Sequence, residues 1–416
     1  MKSEKPKSDF PTEIVKEGRV KVLVPRLSAF VKEPSEYAPS KAPVFYNPVM
    51  ELNRDIAVLA LQAYQRMVNR EICVCEPLTG CGVRGVRFAA EVDGVKKVLI
   101  NDINPKASEL AKYNVQLNAL TKCVSVKNED ANLFLSRYAA PRKRFDAIDI
   151  DPFGSPAPFL DSAVRALRDD GLLAVTATDM APLCGVHPKA CIRKYGGKPL
   201  HTEYCHEIAV RLVAGCLATT AAKHDMGVNI LFSHSTNHYV RIYAKVNYGA
   251  TKADESVGKL GYILHCFNCF HRETVSKPFT NNTSSVCPEC GSEMDFAGPL
   301  WLGKIFHFDF CELMEEDVRN RDFEKKKKIR KILSLARNEV DAPPNYYVID
   351  KICDKLGFPV PSVKEVIRAL REKGFQSTLT HFNPKGIKTN APSVDVKKTL
   401  QELHSVTVKR YMTNFK

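Results

Sequence analysis

Between residues 71 and 177 the apolar pattern changes period repeatedly, from two to about 3.6 and back, and few architectures satisfy such a pattern. Short apolar runs at 71–76, 97–101, 124–128, 146–150 and 171–177 read as strands, and 83–91, 106–118 and 160–167 read as helices. Strands alternating with helices call for a parallel sheet covered on both faces. A helix at 48–70, with Leu52, Ile56, Leu59, Ala60 and Ala63 on one face, precedes the alternation. A helix at 201–222 and strands at 227–232 and 239–246 would finish the sheet with an antiparallel edge. The expected fold is α/β, a Rossmann-like doubly wound sheet over 45–248. A segment 1–44 with a short strand at 20–24 precedes it, and a second domain, 249–416, follows.

In open α/β sheets ligands sit at the carboxyl ends of the strands, so the residues ending each strand carry the functional reading. The first strand runs into Glu76-Pro77-Leu78-Thr79-Gly80-Cys81-Gly82, and a helix opens at Val83. Glycines let backbone approach a ligand closely, and the helix amino terminus offers free amides. Such a turn holds a dinucleotide phosphate equally well. The next strand ends at Asp102, where a carboxylate accepts both hydroxyls of a ribose, as in NAD and S-adenosylmethionine sites. A third strand ends at Asp130 and Ala131, where an acidic group commonly meets an adenine amino group in S-adenosylmethionine sites. Asp102 and Asp130 also precede helices, where a carboxylate serves equally as a cap. The fourth strand alternates acidic and apolar residues and breaks at Asp151-Pro152-Phe153-Gly154. Asp-Pro-aromatic in this place resembles the motif with which methyltransferases engage an exocyclic amino nitrogen. The lone pair of such a nitrogen is delocalised into its ring, and acceptors on its hydrogens together with a stacked aromatic would localise it for attack.

Lys and Arg number 61 against 47 Asp and Glu, a formal charge of +14 that points to a polyanionic partner, RNA or DNA rather than a membrane. No stretch approaches the roughly 20 apolar residues of a membrane span. The Lys-rich, polar start, residues 1–11, lacks the apolar core of a secretory signal. The 14 cysteines include two C-x-x-C pairs, Cys266 with Cys269 and Cys287 with Cys290, 17 residues apart. That spacing is the one of a zinc ribbon over about 262–296, four thiolates closing a structural Zn2+ site, with Gly291 freeing the last turn. Reduced thiols with one metal site indicate the cytoplasm. The polar stretch 248–259 reads as a linker, and the basic run 321–331 as a solvated helix face. Two short helices joined by a turn around 357–362, then strand-like residues, give a winged-helix-like segment over about 344–416.

Several of these segments also carry a family likeness. Phe45-Tyr46-Asn47-Pro48, Asn53-Arg54-Asp55, the glycine turn through Gly85, Asn101-Asp102-Ile103, Asp149 to Pro156, Thr176 to Asp179, and Ala181 to Gly185 come in order. Together with Thr380-His381-Phe382 and Gly386 to Thr389, they resemble the tRNA guanine-26 N2-dimethyltransferases, in length the archaeal forms most of all. The likeness implies a class I methyltransferase sheet, S-adenosyl-L-methionine as cofactor and tRNA as partner, with no obligate protein partner indicated. It implies cofactor contacts at Arg54, Arg84, Asp102, Asp130 and Ala131. Asp151 would accept hydrogen bonds from guanine N2, and Phe45 and Phe153 would line the target pocket. His187, His201 and His206 are given no catalytic part, the latter two falling on an amphipathic helix. Two alternatives remain open: methylation of another nucleic-acid base, such as DNA adenine, and a non-enzymatic nucleic-acid-binding protein built on the ribbon and winged helix.

Overall fold

A seven-stranded sheet dominates the computed structural model, which describes residues 9–31, 38–236, 238–276 and 285–414. Its strands are β3 (Ile72–Glu76), β4 (Val95–Asn101), β5 (Val124–Lys127), β6 (Phe145–Ile150), β7 (Leu167–Ala177), β8 (Met226–Thr236) and β9 (Tyr239–Tyr248), after an amino-terminal hairpin of β1 (Thr12–Glu17) and β2 (Val20–Pro25). They lie in the order β5-β4-β3-β6-β7-β9-β8. β5 through β7 are mutually parallel, while β9 runs antiparallel to both its neighbours. Strand order reverses between β3 and β6, which opens a crevice beyond their carboxyl ends. The helices that interleave are α1 (Glu51–Val68), α2 (Val83–Glu91), α3 (Pro105–Leu117), α4 (Ala131–Ser136), α5 (Ala157–Ala166), α6 (Met180–Leu183), α7 (Pro188–Tyr195) and α8 (Cys205–Ala222). A large mixed sheet of this kind fits a Rossmann-like methyltransferase, with the expected antiparallel edge.

The acid–apolar alternation of β6 suggests one wetted face, yet all six of its residues are buried. Its carboxylates are neutralised instead. Asp146 pairs with Arg70 and, at 3.0 Å, with Arg168, and Asp149 pairs with Arg241. Burying a charge is tolerated only with such pairing.

The expected linker is not one. Residues 250–257 form α9 (Ala250–Val257), which packs on β8. Ser256 Oγ accepts the Val228 amide at 2.8 Å, capping a buried position of the outermost strand. A Cβ at Gly227 would lie 2.4 Å from the Lys252 carbonyl oxygen, so glycine is what admits the helix.

Beyond it, β10 (Leu260–His265), β11 (Arg272–Val275) and β12 (Asp295–Trp301) form a second sheet, ordered β11-β10-β12. Two helices follow, α10 (Phe308–Arg319) and α11 (Lys326–Asn338). The basic run is only partly a solvated face: Arg321 and Phe323 are buried, Arg321 Nε donating to Asp317 at 2.6 Å. The chain closes with β13 (Tyr347–Val348), α12 (Ile349–Leu356), α13 (Val363–Glu372), β14 (Ser377–Leu379), β15 (Gly386–Thr389) and α14 (Ser393–Asn414). Ser362 and Glu365 form a capping box at α13. One apolar core runs from Val20 through the large sheet to Trp301, Phe310, Leu333 and Val348. Residues 1–8, and 277–284 within the expected ribbon, lie outside the described residues. Among those described, no helix is long and apolar enough to cross a membrane.

Candidate active site

The acids read from the strand ends share one rim of the large sheet, since β3 to β7 are parallel and in register up to their last residues. The glycine turn after β3 is tight, with φ of +55° at Gly80 and +81° at Gly82. Asp102 fixes it: Oδ2 accepts the Gly80 amide at 2.7 Å and Oδ1 the Asn104 amide at 2.9 Å. Burial raises the Asp102 pKa, with these two amides opposing it. Asn101 ties the neighbouring loops together, donating to the carbonyls of Pro77 and Glu129, both at 3.0 Å. Asp130 caps α4 through Oδ1, which accepts the Asn132 and Leu133 amides at 2.9 and 3.0 Å. Ala131 is buried, while Ile103 and Leu133 are exposed apolar side chains on the same rim. A turn amide, two carboxylates and exposed aliphatic side chains suit a nucleoside: acids for hydroxyl or amino donors, apolar groups for a flat ring.

On the other side of the crevice, Asp151 and Phe153 leave β6. Gly154, with φ +76°, turns the loop back, its amide donating to Thr178 Oγ1 at 2.7 Å while its carbonyl accepts the Thr178 amide at 2.9 Å. This fastening to the end of β7 leaves Phe153 72% exposed. Its ring meets that of Phe45 edge to face, centroids 4.5 Å apart and planes at 89°. Phe45 is placed from behind. Tyr46 OH donates to Glu17 at 3.2 Å, and Arg54 Nη2 donates to the Asn47 carbonyl at 3.1 Å. A Cβ on Gly80 would come within 3.1 Å of the Phe45 carbonyl, so the two loops touch.

Asp151 rests on a buried polar layer. Arg84 pairs with Asp151 through Nη2 and donates from Nη1 to Asn53 Oδ1 at 2.8 Å. Its Nε lies 3.5 Å from Glu76, and Nη1 lies 3.7 Å from Asp149. Arg241 on β9 binds Asp149 and Thr176, and donates to Tyr243 OH at 2.8 Å. Burial acts to raise the Asp151 pKa, but Arg84 and Arg241 outweigh it and hold the carboxyl below its ordinary 3.8. Glu76 lies deeper, and there burial wins, pushing it to about 8 against the pull of Arg84.

The structure thus brings together Phe45, Arg84, Asp102, Asp130, Ala131, Asp151 and Phe153 around one crevice. Arg54 is buried behind them, with Nε 2.5 Å from Glu17 Oε1 and Nη2 2.6 Å from Oε2, and its charge adds to those that hold the Asp151 carboxyl down. Its contact is with the segment carrying Phe45. Sequence reading places Asn53, Asp149 and Thr176 in the family segments without giving them a role in the site, and does not single out Arg241. Asp149 could have been found, two residues before Asp151 and therefore on the same strand face. Arg241 could not, because an antiparallel edge strand is legible in the sequence but the register that sets Arg241 opposite Thr176 is not. His201 lies before α8 rather than on it, and its Nδ1 is 3.1 Å from the Cys184 carbonyl oxygen.

Away from the crevice, Cys266, Cys269, Cys287 and Cys290 converge with all four sulfurs within 4.8 Å of one another. Sγ of Cys266 is 3.5 Å from Cys290 and Sγ of Cys269 is 3.4 Å from Cys287. Each pair sits on a turn, closed by the Phe270 amide on the Cys266 carbonyl and the Gly291 amide on the Cys287 carbonyl. Gly291 has φ +72°, the freedom expected of it.

The model of the N2,N2-dimethylguanosine tRNA methyltransferase family matches residues 18–401. A tRNA (guanine(26)-N(2))-dimethyltransferase of Methanobrevibacter smithii is 43% identical, over 95% of this chain and 99% of that one. A tRNA (guanine(26)-N(2)/guanine(27)-N(2))-dimethyltransferase of Aquifex aeolicus is 35% identical over 94% and 96%. Among solved structures, that of Trm1 from Pyrococcus horikoshii in complex with S-adenosyl-L-methionine superposes with a TM-score of 0.81, at 36% identity, covering 93% of this chain and 99% of that one. The chain therefore belongs to the N2,N2-dimethylguanosine tRNA methyltransferase family.

Proposed function

We propose that this protein transfers methyl groups from S-adenosyl-L-methionine to the exocyclic N2 of guanine 26 in tRNA, giving N2,N2-dimethylguanosine by way of the monomethylated base. The observation that supports this reading is that Asp151 and Phe153 leave the end of one strand, Phe153 meeting Phe45 edge to face, in a parallel sheet whose neighbouring strand ends carry Asp102 and the glycine turn. When bound, the cofactor supplies an already activated sulfonium methyl, so the protein contributes positioning above all. The glycine turn, Asp102 and Asp130 suit its ribose and adenine. Arg84 and Arg54, the two guanidiniums that the family likeness assigns to the cofactor, are both buried here and paired with Asp151 and with Glu17.

Asp151 accepts hydrogen from guanine N2, which drains ring conjugation and aims the lone pair at the methyl group. As the N–C bond formed, the sulfonium S–CH3 bond would break and the cofactor would leave as neutral S-adenosylhomocysteine; the positive charge would pass to the nitrogen, whose proton Asp151 would accept and hand to water. A methylated aryl-type amine is so acidic as a cation that a weak base suffices. That agrees with a carboxylate whose pKa is held down rather than raised. Loss of that proton leaves a neutral monomethylated amine ready for a second transfer. Phe153 offers the flat surface a base needs once it leaves the stack.

The helix pair α12–α13 with the sheet β13-β15-β14 supports a winged-helix-like role in docking tRNA, and a Zn2+ ion held by the four ribbon thiolates supports its local fold. Lys189 and Arg193 on α7 are exposed and suit phosphates, while Lys194 and Lys198 are already paired with Asp179 and Asp295. Cytoplasmic residence follows from a tRNA substrate.

Mass spectrometry of nucleosides from tRNA incubated with the protein and S-adenosyl-L-methionine tests the proposal. N2,N2-dimethylguanosine at position 26 is expected. Methylated adenine in DNA, or an unmodified position 26, would overturn it.

A further inference from the structure

A second cluster of soft ligands lies at the same rim as the crevice, beyond the end of β7. The Sγ atoms of Cys184 and Cys205 and a ring nitrogen of His206 all lie within 4.8 Å of one another. Cys184 closes α6, and Cys205 and His206 open α8. Backbone packing, not chance proximity of long side chains, brings them together. Gly185 has φ +87°, and a Cβ there would lie 2.5 Å from the His201 amide nitrogen and 2.7 Å from the Leu200 carbonyl carbon. The His201 ring closes the same gap by its contact with the Cys184 carbonyl. The imidazole of His206 is also held, its Nδ1 3.2 Å from Ser235 Oγ at the end of β8. An outer contact of this sort fixes the ring of a metal-binding histidine. Cys184 is buried and the other two are half-buried, so the site is enclosed but reachable from solvent.

We infer that Cys184, Cys205 and His206 bind a thiophilic divalent cation of the zinc type, as a Cys2His site distinct from the ribbon. Both thiols give up their protons to bulk water on binding, and a tetrahedral ion keeps one position for water. The ion would clamp α6 to α8. Because α6 follows Thr178, whose amide and hydroxyl hold Gly154, such a clamp steadies the loop that presents Phe153. Its place is structural. No step of the methyl transfer needs it.

The test counts metal in the full chain by elemental mass spectrometry, after zinc loading under reducing conditions and removal of free ion. Wild type is expected to hold one equivalent more than Cys184→Ser or Cys205→Ser. Equal metal contents would overturn the inference, whatever the ribbon holds. Should those variants fail to fold, Co2+ added to the Cys287→Ser/Cys290→Ser double variant gives the second reading. A near-ultraviolet thiolate-to-cobalt band is expected there, at one ion per chain. Its absence, or peptide mapping that finds Cys184 and Cys205 joined as a disulfide in the zinc-loaded protein, would refute the site.

Discussion

Arg84 and Asp151 form an ion pair where β3 and β6 deliver their ends to one crevice, with 4% and 19% of their side-chain surfaces exposed. The pair keeps Asp151 ionised despite its burial, and it does so from within the polar layer rather than from solvent. Arg84→Gln leaves Arg241 as the principal remaining counter-charge and lets burial raise the carboxyl pKa. Since Asp151 must accept hydrogen as a carboxylate, the acid limb of the pH–rate profile is expected to move to higher pH. The same substitution should weaken the cofactor. A pH profile of single-turnover transfer at saturating cofactor separates the two effects, and an unmoved acid limb would remove Arg84 from this role. Asp151→Asn, by contrast, should cost about 10²–10⁴-fold in transfer at every pH while leaving cofactor affinity near that of wild type.

Behind Phe45 a different balance governs stability. Glu17, Asp55 and Glu91 face Arg54 and Arg87, with Arg87 2.7 Å from Asp55 and 2.8 Å from Glu91, and Arg321 a further 4.0 Å from Glu91. Asp55 is the least neutralised of the three, since its one ion pair is the Arg87 guanidinium it shares with Glu17 and Glu91. Burial raises its pKa to about 6 from 3.8, Arg87 opposing and Glu17 and Glu91 adding to the rise. A carboxyl raised in the folded state contributes stability that is complete below 3.8 and is lost as pH climbs towards 6. Asp55→Asn keeps the acceptor for Arg87 without the charge. Its unfolding free energy should gain on that of wild type as pH rises from 4 to 7, by roughly 3 kcal/mol at most, as read by denaturant unfolding. A constant gap between the two would show that Asp55 is ionised throughout.

On the cofactor side, Asp102→Asn should keep one of the two turn contacts through its amide oxygen while losing the other and the charge. Hydrogen bonds from ribose hydroxyls to a carboxylate are worth about 1.5–3 kcal/mol, so cofactor affinity should fall by roughly 10-fold or more. Titration calorimetry measures it. Unchanged affinity would show that Asp102 serves only Gly80 and Asn104.

Much of this site could be read before any coordinates, and the reason is geometric. A strand that stops at Asp102, Asp130 or Asp151 delivers its last side chain to the sheet edge whatever the rest of the chain does. The supporting layer was harder to read: an antiparallel edge strand is legible, but the register that sets Arg241 against Thr176 and Asp149 is not. Nor does the sequence disclose that Arg54 is buried in a pair with Glu17 on the amino-terminal hairpin. The segment 248–259 misled because its polarity hides two small residues, Ala253 and Ser256, at helical spacing, and those are the ones buried on β8.

The ribbon and the last helix should fail together. Glu289, between the ribbon ligands, accepts from Ser393 Oγ at 2.5 Å and from Lys397 at 3.1 Å, and the Cys269 carbonyl accepts from the same two residues. Cys287→Ser should therefore release one metal ion, lower the melting temperature and loosen α14, seen as faster proteolysis or amide exchange at its first turns. Cofactor affinity should stay as it was, since Asp102 and Asp130 lie on a different sheet. Loss of cofactor binding alongside the metal would mean that the ribbon supports the crevice directly.

Phe153 separates base recognition from everything else. Its ring is mostly exposed and touches Phe45 by an edge, so Phe153→Ala should change the melting temperature little and cofactor affinity not at all. Stacking of a nucleobase on an aromatic ring is worth about 1–3 kcal/mol, which sets the expected loss in kcat/KM for tRNA at roughly 5- to 150-fold. Phe153→Tyr keeps the ring and should recover most of it. Phe45→Ala removes a half-buried ring as well as an edge contact, so its effect on tRNA turnover comes with a loss of stability that the exposed partner does not show. If Phe153→Ala turned over tRNA like wild type, the guanine would have to stack elsewhere, and Phe45 alone would remain to hold it above Asp151.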